Sequence, residues 1–285
     1  MFLMDPLTKA LFFVFLVGSM LGIGLKVGKD EILSVVKDKS WLARIFIANF
    51  ILIPAVGILA AKALAVKPEN ALALIVLACA PGGPNALQYL SKKKEEAALA
   101  YGGGTMVVLT LLSIFISPLL IALAIPKGMT LTVPYGKAIL FVALFMLLPL
   151  VLGTLVKHLA RTATGRLAGP VSLISTLAFI GAMIKALNVT TWAKAEVGTL
   201  VLAAIVIFIL ISMLIGWLLG GPREFTRAIL ATSSSMRNIA LALAIALRSF
   251  DAAVLPPLVA FMAVMVPANL LFMLILKVVG KARRS

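Results

Sequence analysis

Ser233-Ser234-Ser235-Met236-Arg237-Asn238 interrupts the apolar run 228–247, and Ala80-Pro81-Gly82-Gly83-Pro84-Asn85 interrupts the apolar run 70–91. Each polar stretch falls at the middle of a segment long enough to cross the hydrocarbon core as a helix, which takes roughly 17–25 residues. In the earlier stretch Pro81 and Pro84 flank Gly82 and Gly83. The prolines remove backbone donors and the glycines permit positive φ, so a continuous helix is not maintained there. Apolar sequence resumes after both Asn85 and Asn238, and asparagine is a favoured N-cap, so each is read as opening a second half-helix. The competing readings are a packing kink at the Pro-Gly stretch, and serine hydroxyls that bond carbonyls one turn back while the helix continues.

The composition around these breaks is that of a membrane protein. Of 285 residues 62% are apolar and 13% charged, where soluble domains run at about 45–50% and about 25%. Nine runs meet the length for a span: 10–25, 45–61, 70–91, 97–126, 138–156, 167–184, 197–222, 228–247 and 252–276. Only the eighth holds a charge, Arg237. Lipid forces such segments into helices, because backbone groups there must bond within their own segment. The expected fold class is therefore an all-α polytopic membrane protein with nine transmembrane helices in one domain over residues 1–285.

The net charge of +16 comes from short basic clusters between the apolar runs. That placement makes the lipid bilayer the partner and excludes nucleic acid. With the N-terminus outside, 17 basic residues fall on inward loops and the C-terminal tail, against eight outside. Such a bias predicts a multi-pass protein of the cell (inner) membrane with a cytoplasmic C-terminus. The N-terminus, with Asp5 beside Lys9 and no basic leader region, does not read as a signal peptide. Cys79 is the single cysteine, which rules out an intrachain disulfide and a cysteine-based metal site.

The pairing of the breaks points to function. Spans three and eight are five apart, so they run in opposite directions, with their breaks at the same depth. Spans one to four and six to nine then form inverted repeats joined by span five. Inverted repeats with broken helices at the midplane characterise secondary transporters. All ten acidic residues lie outside the spans, so a carboxylate proton relay is not expected. No span contains a histidine, and no His-Glu-x-x-His motif occurs, so an enzyme is not expected either.

Arg237 is the tenth of twenty residues in its span, about 15 Å from either end at 1.5 Å per residue. Its insertion costs at least about 2.5–3.5 kcal/mol, so it must face a polar partner or cavity. Two readings stand. The guanidinium bonds carbonyls freed by the span-three break, or it acts as a fixed charge for an anionic substrate or in place of a bound cation. Asn49 and Thr110 are uncharged polar residues inside spans two and four. Gly102-Gly103-Gly104 suits close helix packing.

The chain resembles the bile acid:sodium symporter family over most of its length. The likeness rests on Gly22-Ile23-Gly24-Leu25, Asn49-Phe50-Ile51-Leu52-Ile53-Pro54, Pro81-Gly82-Gly83 followed by Asn85, Ser117-Pro118 and Met236-Arg237-Asn238. The resemblance implies two crossed discontinuous helices in a core domain packed against a panel. The core would span about 41–126 and 195–278, and the panel about 8–27 and 136–188. It implies sodium as a co-transported ion, with Asn85, Thr110, Ser233 and Asn49 at the ion site. Many members carry a glutamate at the Ser233 position and a glutamine at the Arg237 position. A guanidinium about 4 Å from a sodium ion repels it by about 4 kcal/mol at an effective dielectric of 20, so Arg237 is expected to replace one ion. Related arsenite exporters place a cysteine where Gly82 stands here.

The resulting expectation is a secondary transporter of a small organic anion (bile-acid-like, keto acid or another carboxylate) working by alternating access. Substrate contacts would be Asn85, Arg237, Asn238 and Ser234, around crossover breaks at Pro81, Gly82, Gly83, Pro84, Ser235 and Met236. A sodium-independent facilitator or exporter of the same fold, and a non-transporting membrane sensor or assembly subunit, are the alternatives. No cofactor beyond sodium is expected.

Overall fold

The computed structural model describes residues 6–63, 67–82, 96–125, 135–186, 197–250 and 252–282. Within them the apolar runs become helices, as the solvent demands. Helix α1 is Pro6–Lys26, α2 is Lys29–Lys37, and α3 is Lys39–Ala63 with a π-helical segment at Ile47–Leu52. Helix α4 is Pro68–Ala78 and α5 is Glu96–Ala124. Helix α6 covers 135–159, with a π-helical segment at Ala143–Leu147, and α7 is Arg161–Ala186. After α8, Thr199–Leu219, come α9, Glu224–Ser235, and α10, Ile239–Ser249; a 3-10 turn at Ala252–Val254 leads into α11, Leu255–Ala282.

Among the described residues eight helical segments are long and apolar enough to cross a membrane, with α9 and α10 together making one of them. The span expected at 70–91 is described only over its first half, α4. Its expected second half, with Gly83, Pro84 and Asn85, lies outside the described residues. Helix α2 departs from expectation, since residues 26–44 read as a loop. Its N-terminus is capped by the Glu31 carboxylate, which accepts from the Gly28 N–H at 2.9 Å, a local bond that no hydropathy profile registers.

Close helix contacts are made where glycine lets backbones approach. A side chain at Gly24 of α1 would strike the Leu150 carbonyl and Gly153 of α6, and one at Gly216 of α8 would strike the α9 backbone at Leu230 and Ala231. Gly57 brings α3 onto Ala78 of α4, and Gly104 brings α5 onto Glu31 of α2, so one of the three glycines opening span four does serve packing. Helices α1, α6 and α7 pack on one another, with the Phe15 and Phe179 rings 4.5 Å apart and Ser175 Oγ donating to the Phe15 carbonyl at 3.0 Å. Helices α3, α4, α8, α9 and α11 form a second group, and α10 reaches from it to α1 and α6.

Two of the segments expected as inward loops, those at 26–44 and 157–166, meet at one end of the bundle. There Lys157 Nζ pairs with Glu31 at 2.8 Å, Lys26 Nζ donates to Ser172 Oγ at 2.9 Å, and Trp41 Nε1 donates to Thr105 Oγ1 at 3.0 Å.

Candidate functional site

Helix α9 stops at Ser235 because Met236 turns to an extended conformation (φ −86°, ψ 96°). Asn238 then caps α10, its Oδ1 accepting from the Leu241 N–H at 3.0 Å. The reading of span eight as two half-helices with Asn238 as the cap therefore holds. The serine run also does what its competing reading supposed. Thr232 and Ser235 bond carbonyls four residues back at 2.6 and 2.8 Å, and Ser233 bonds the Leu230 carbonyl at 3.2 Å. These bonds seal the last turn of α9 without carrying the helix through.

Helix α4 ends at Ala78, and the chain continues without regular structure through Ala80 and Pro81 to Gly82, whose φ is +83°. A side chain at Gly82 would also come within 2.9 Å of Leu109 Cβ on α5. Both the conformation and the space require glycine there. The two breaks meet directly, with the Asn238 N–H donating to the Ala80 carbonyl at 2.8 Å.

Arg237 sits in this joint with no exposed surface. Its Nε donates to the Leu77 carbonyl at 2.9 Å and its Nη2 to the Ala78 carbonyl; Nη1 donates to Asn49 Oδ1 at 3.0 Å and to the Ser234 carbonyl at 3.1 Å. Four of the guanidinium's five N–H donors are thus used. Leu77 and Ala78 close α4 and Ser234 closes α9, so two helix C-termini, each carrying about half a negative charge, converge on one cation. That convergence explains how a charge survives at mid-span with no carboxylate among the described residues bonded to it.

Asn49 completes the cage from the π-helical segment of α3. Its Nδ2 donates to the Ile45 carbonyl at 3.1 Å and to Ser234 Oγ at 3.2 Å while its Oδ1 faces Arg237. The wider turn of a π segment re-aims a side chain, a device common at functional positions. The structure thus unites Asn49, Ser234 and Arg237 in one network and sets Asn238 beside it. Ser233 points back into its own helix turn. Thr110 lies on α5 where Gly82 approaches, its backbone N 3.3 Å from where a Gly82 Cβ would be. Thr110 Oγ1 and Asn238 Nδ2 are both buried without a hydrogen-bond partner among the described residues.

Sequence reasoning passed over Asn269 of α11, which is fully buried and accepts at Oδ1 from Ser235 Oγ at 2.8 Å. The criterion that selected Asn49, an amide inside an uncharged span, selects Asn269 equally. It also passed over Ser212 of α8, buried with an unpartnered hydroxyl.

A helix broken at mid-span whose break meets the end of another helix, α4, is a feature found in transporters, and the comparisons point the same way. The sodium bile acid symporter family model matches residues 13–192. The chain belongs to this family. The matched region includes α4 and its break and stops before Arg237. A relative from Bacillus subtilis (strain 168), described as the uncharacterized sodium-dependent transporter YocS, is 24% identical over 245 residues, covering 83% of this chain and 74% of its own length. The protein is accordingly a multi-pass membrane protein related to secondary transporters.

Proposed function

We propose that this protein carries a small organic anion across the cell membrane by alternating access, with the carboxylate held at the helix joint. The carrying observation is Asn238. Its Oδ1 is spent on the α10 cap and its Nδ2 is buried, with no partner among the described residues, at the positive end of that helix. A buried amide donor at a helix N-terminus suits an anion, and a carboxylate there would satisfy a group whose desolvation otherwise costs about 1–3 kcal/mol. The Arg237 guanidinium adds fixed positive charge one residue away, and Asn85 would contribute from the other half-helix. Movement would be a rocking of the group built on α3, α4, α5, α8, α9 and α11 against the group of α1, α6 and α7. The dense packing within the latter three helices supports treating them as one panel.

A specific observation favours the sodium-independent form of this function. The position where two helix C-termini and Asn49 Oδ1 present oxygens is filled by a guanidinium, and backbone carbonyls at half-helix C-termini are where transporters of this kind hold sodium. Arg237 then acts as a permanent cation at one ion position. Thr110 Oγ1, without a partner among the described residues, is the acceptor a sodium ion would use in the sodium-coupled alternative.

Proteoliposomes test both parts. Uptake of labelled short monocarboxylates and larger amphipathic acids is measured under a sodium gradient and under a matched choline gradient. Uptake equal in the two salts, and reduced at least about tenfold in Asn238→Ala, is the expected result. Strict sodium dependence would overturn the sodium-independent form. Absence of any flux for every anion would overturn transport and favour a sensor or assembly role.

A further inference from the structure

At the end of the bundle that holds α2, three arginines gather on the turn joining α8 to α9. Arg44 Nη1 donates to the Leu219 carbonyl at 3.1 Å, and Arg227 Nε donates to the Gly221 carbonyl at 2.7 Å. The Arg227 guanidinium lies over the Trp217 ring at 5.7 Å, and that of Arg223 over the Phe225 ring at 5.9 Å. Gly221 has φ +83°, and a Cβ placed on it would be 3.8 Å from Arg44 Nη1, so the turn brings two guanidinium groups onto carbonyls two residues apart. Among the described residues the carboxylates of this neighbourhood are Glu224, which opens α9, and Asp38, which accepts from the Trp41 N–H at 2.9 Å and from the Tyr101 hydroxyl at 3.2 Å. The turn carries more positive than negative charge.

Its surroundings are those of a membrane interface. Ile207, Leu210, Leu214 and Leu218 form a stripe along α8, each more than half exposed, and the stripe ends one residue from Trp217. Trp217 stacks edge-on with Phe272 of α11 at 5.8 Å, an aromatic pair of the kind that sits at headgroup depth. An acyl chain on the stripe would bring its headgroup to the arginines.

We propose that Arg44 and Arg227, with Arg223 at the rim, form a binding site for the phosphate of an anionic phospholipid. A guanidinium has five N–H donors in a fork that matches a phosphate, so a group anchored to the turn through one edge presents another edge outward. Zwitterionic lipid offers the same phosphate with its charge cancelled, so selectivity for anionic headgroups follows. The proposal is independent of which anion the protein carries and of any sodium coupling.

The test is the thermal midpoint of the full chain in a zwitterionic detergent, titrated with phosphatidylglycerol, phosphatidylcholine or inorganic phosphate. A ligand that binds only the folded state raises the midpoint with concentration. Phosphatidylglycerol should raise it while the other two do not. The apparent affinity should fall at least about tenfold in R44Q/R227Q, with K37Q/K39Q, which removes two exposed charges on α2 and at the start of α3, unchanged. Equal responses to the two lipids, an equal loss in K37Q/K39Q, or an equal rise with inorganic phosphate would each overturn the proposal; the last would reassign the site to free phosphate. Should R44Q/R227Q fail to fold, native mass spectrometry of the wild type after exposure to an equimolar lipid mixture decides. Preferential retention of phosphatidylglycerol supports the site and even retention removes it.

Discussion

Two charged contacts hold helix ends together in this protein, and they work on opposite terms. At the mid-span joint Arg237 is fully buried and, among the described residues, bonded only to neutral oxygens, three of them main-chain carbonyls. At the bundle end Lys157 meets a carboxylate, Glu31, with both side chains about a quarter exposed. Backbone dipoles neutralise the first cation and a counter-charge with water neutralises the second. In the membrane interior the first arrangement is the stronger, because neither partner has an alternative in lipid. At the interface the second is weak, because water competes for both ions. What a charged contact contributes is therefore set by its surroundings as well as by its bonds.

The largest effect expected is at Arg237. Arg237→Met leaves the Leu77, Ala78 and Ser234 carbonyls and Asn49 Oδ1 without their donor, at about 1–3 kcal/mol for each group that finds no substitute. A loss of about 3 kcal/mol or more in chemical or thermal unfolding is the expected result. Arg237→Lys keeps the charge but offers three donors from one point instead of a planar fork, and should fall between. If Arg237→Met unfolds at the wild-type midpoint, backbone dipoles are not holding this charge and the contrast between the two contacts collapses.

Asn49→Ala sharpens the comparison. It removes one acceptor from Arg237 and one donor from Ser234 while leaving the three carbonyls in place. A loss of about 1–3 kcal/mol is expected, smaller than for Arg237→Met. Combining Asn49→Ala with Arg237→Met should cost less than the sum of the two, because both act on one network. Strict additivity would mean that the two residues stabilise the joint separately.

Asn238→Ala tests the other face of the joint. Loss of the α10 cap should cost about 1 kcal/mol, a smaller stability effect than at Arg237 but a larger effect on uptake. Asn238→Asp keeps the Oδ1 cap and replaces the Nδ2 donor by a second oxygen. It should recover the stability and not the uptake, which separates capping from anion binding.

Much of this was legible before any coordinates. The break at Met236, the cap at Asn238 and the burial of Arg237 follow from residue types that a lipid environment penalises unless they are partnered. Its partners were legible as a class: one of the two readings of Arg237 gave it the carbonyls freed by the span-three break, and the Leu77 and Ala78 carbonyls at the end of α4 are of that kind. Which carbonyls, more than 150 residues away, was not legible, because main-chain carbonyls carry no side-chain signature. Asn269 was legible in principle by the rule that selected Asn49. Helix α2 was hidden because its hydropathy is low and its stability comes from a cap and from packing on Gly104. The expectations at Gly83, Pro84 and Asn85 fall outside the described residues.

The smallest effect expected is at the interfacial pair, and its sign with pH is fixed by Glu31. Burial acts to raise that carboxyl, but the Lys157 ammonium and the Gly28 N–H outweigh it and hold it below the ordinary glutamate value. A carboxyl depressed in the folded state stabilises the fold above its unfolded value, near 4.3 for an ordinary glutamate. That contribution disappears as pH falls through the lower, folded value. Because the pair is partly exposed, Lys157→Met should cost no more than about 0.5–1 kcal/mol near neutral pH. The difference between Lys157→Met and wild type should vanish in the acid range, where Glu31 is protonated in both. The same pH series on Arg237→Met should show a difference that persists into acid, since no carboxylate among the described residues bonds that guanidinium. A Lys157→Met effect that persisted undiminished into acid would mean that the lysine acts through its bond to the Lys26 carbonyl, 2.8 Å away, and not through Glu31.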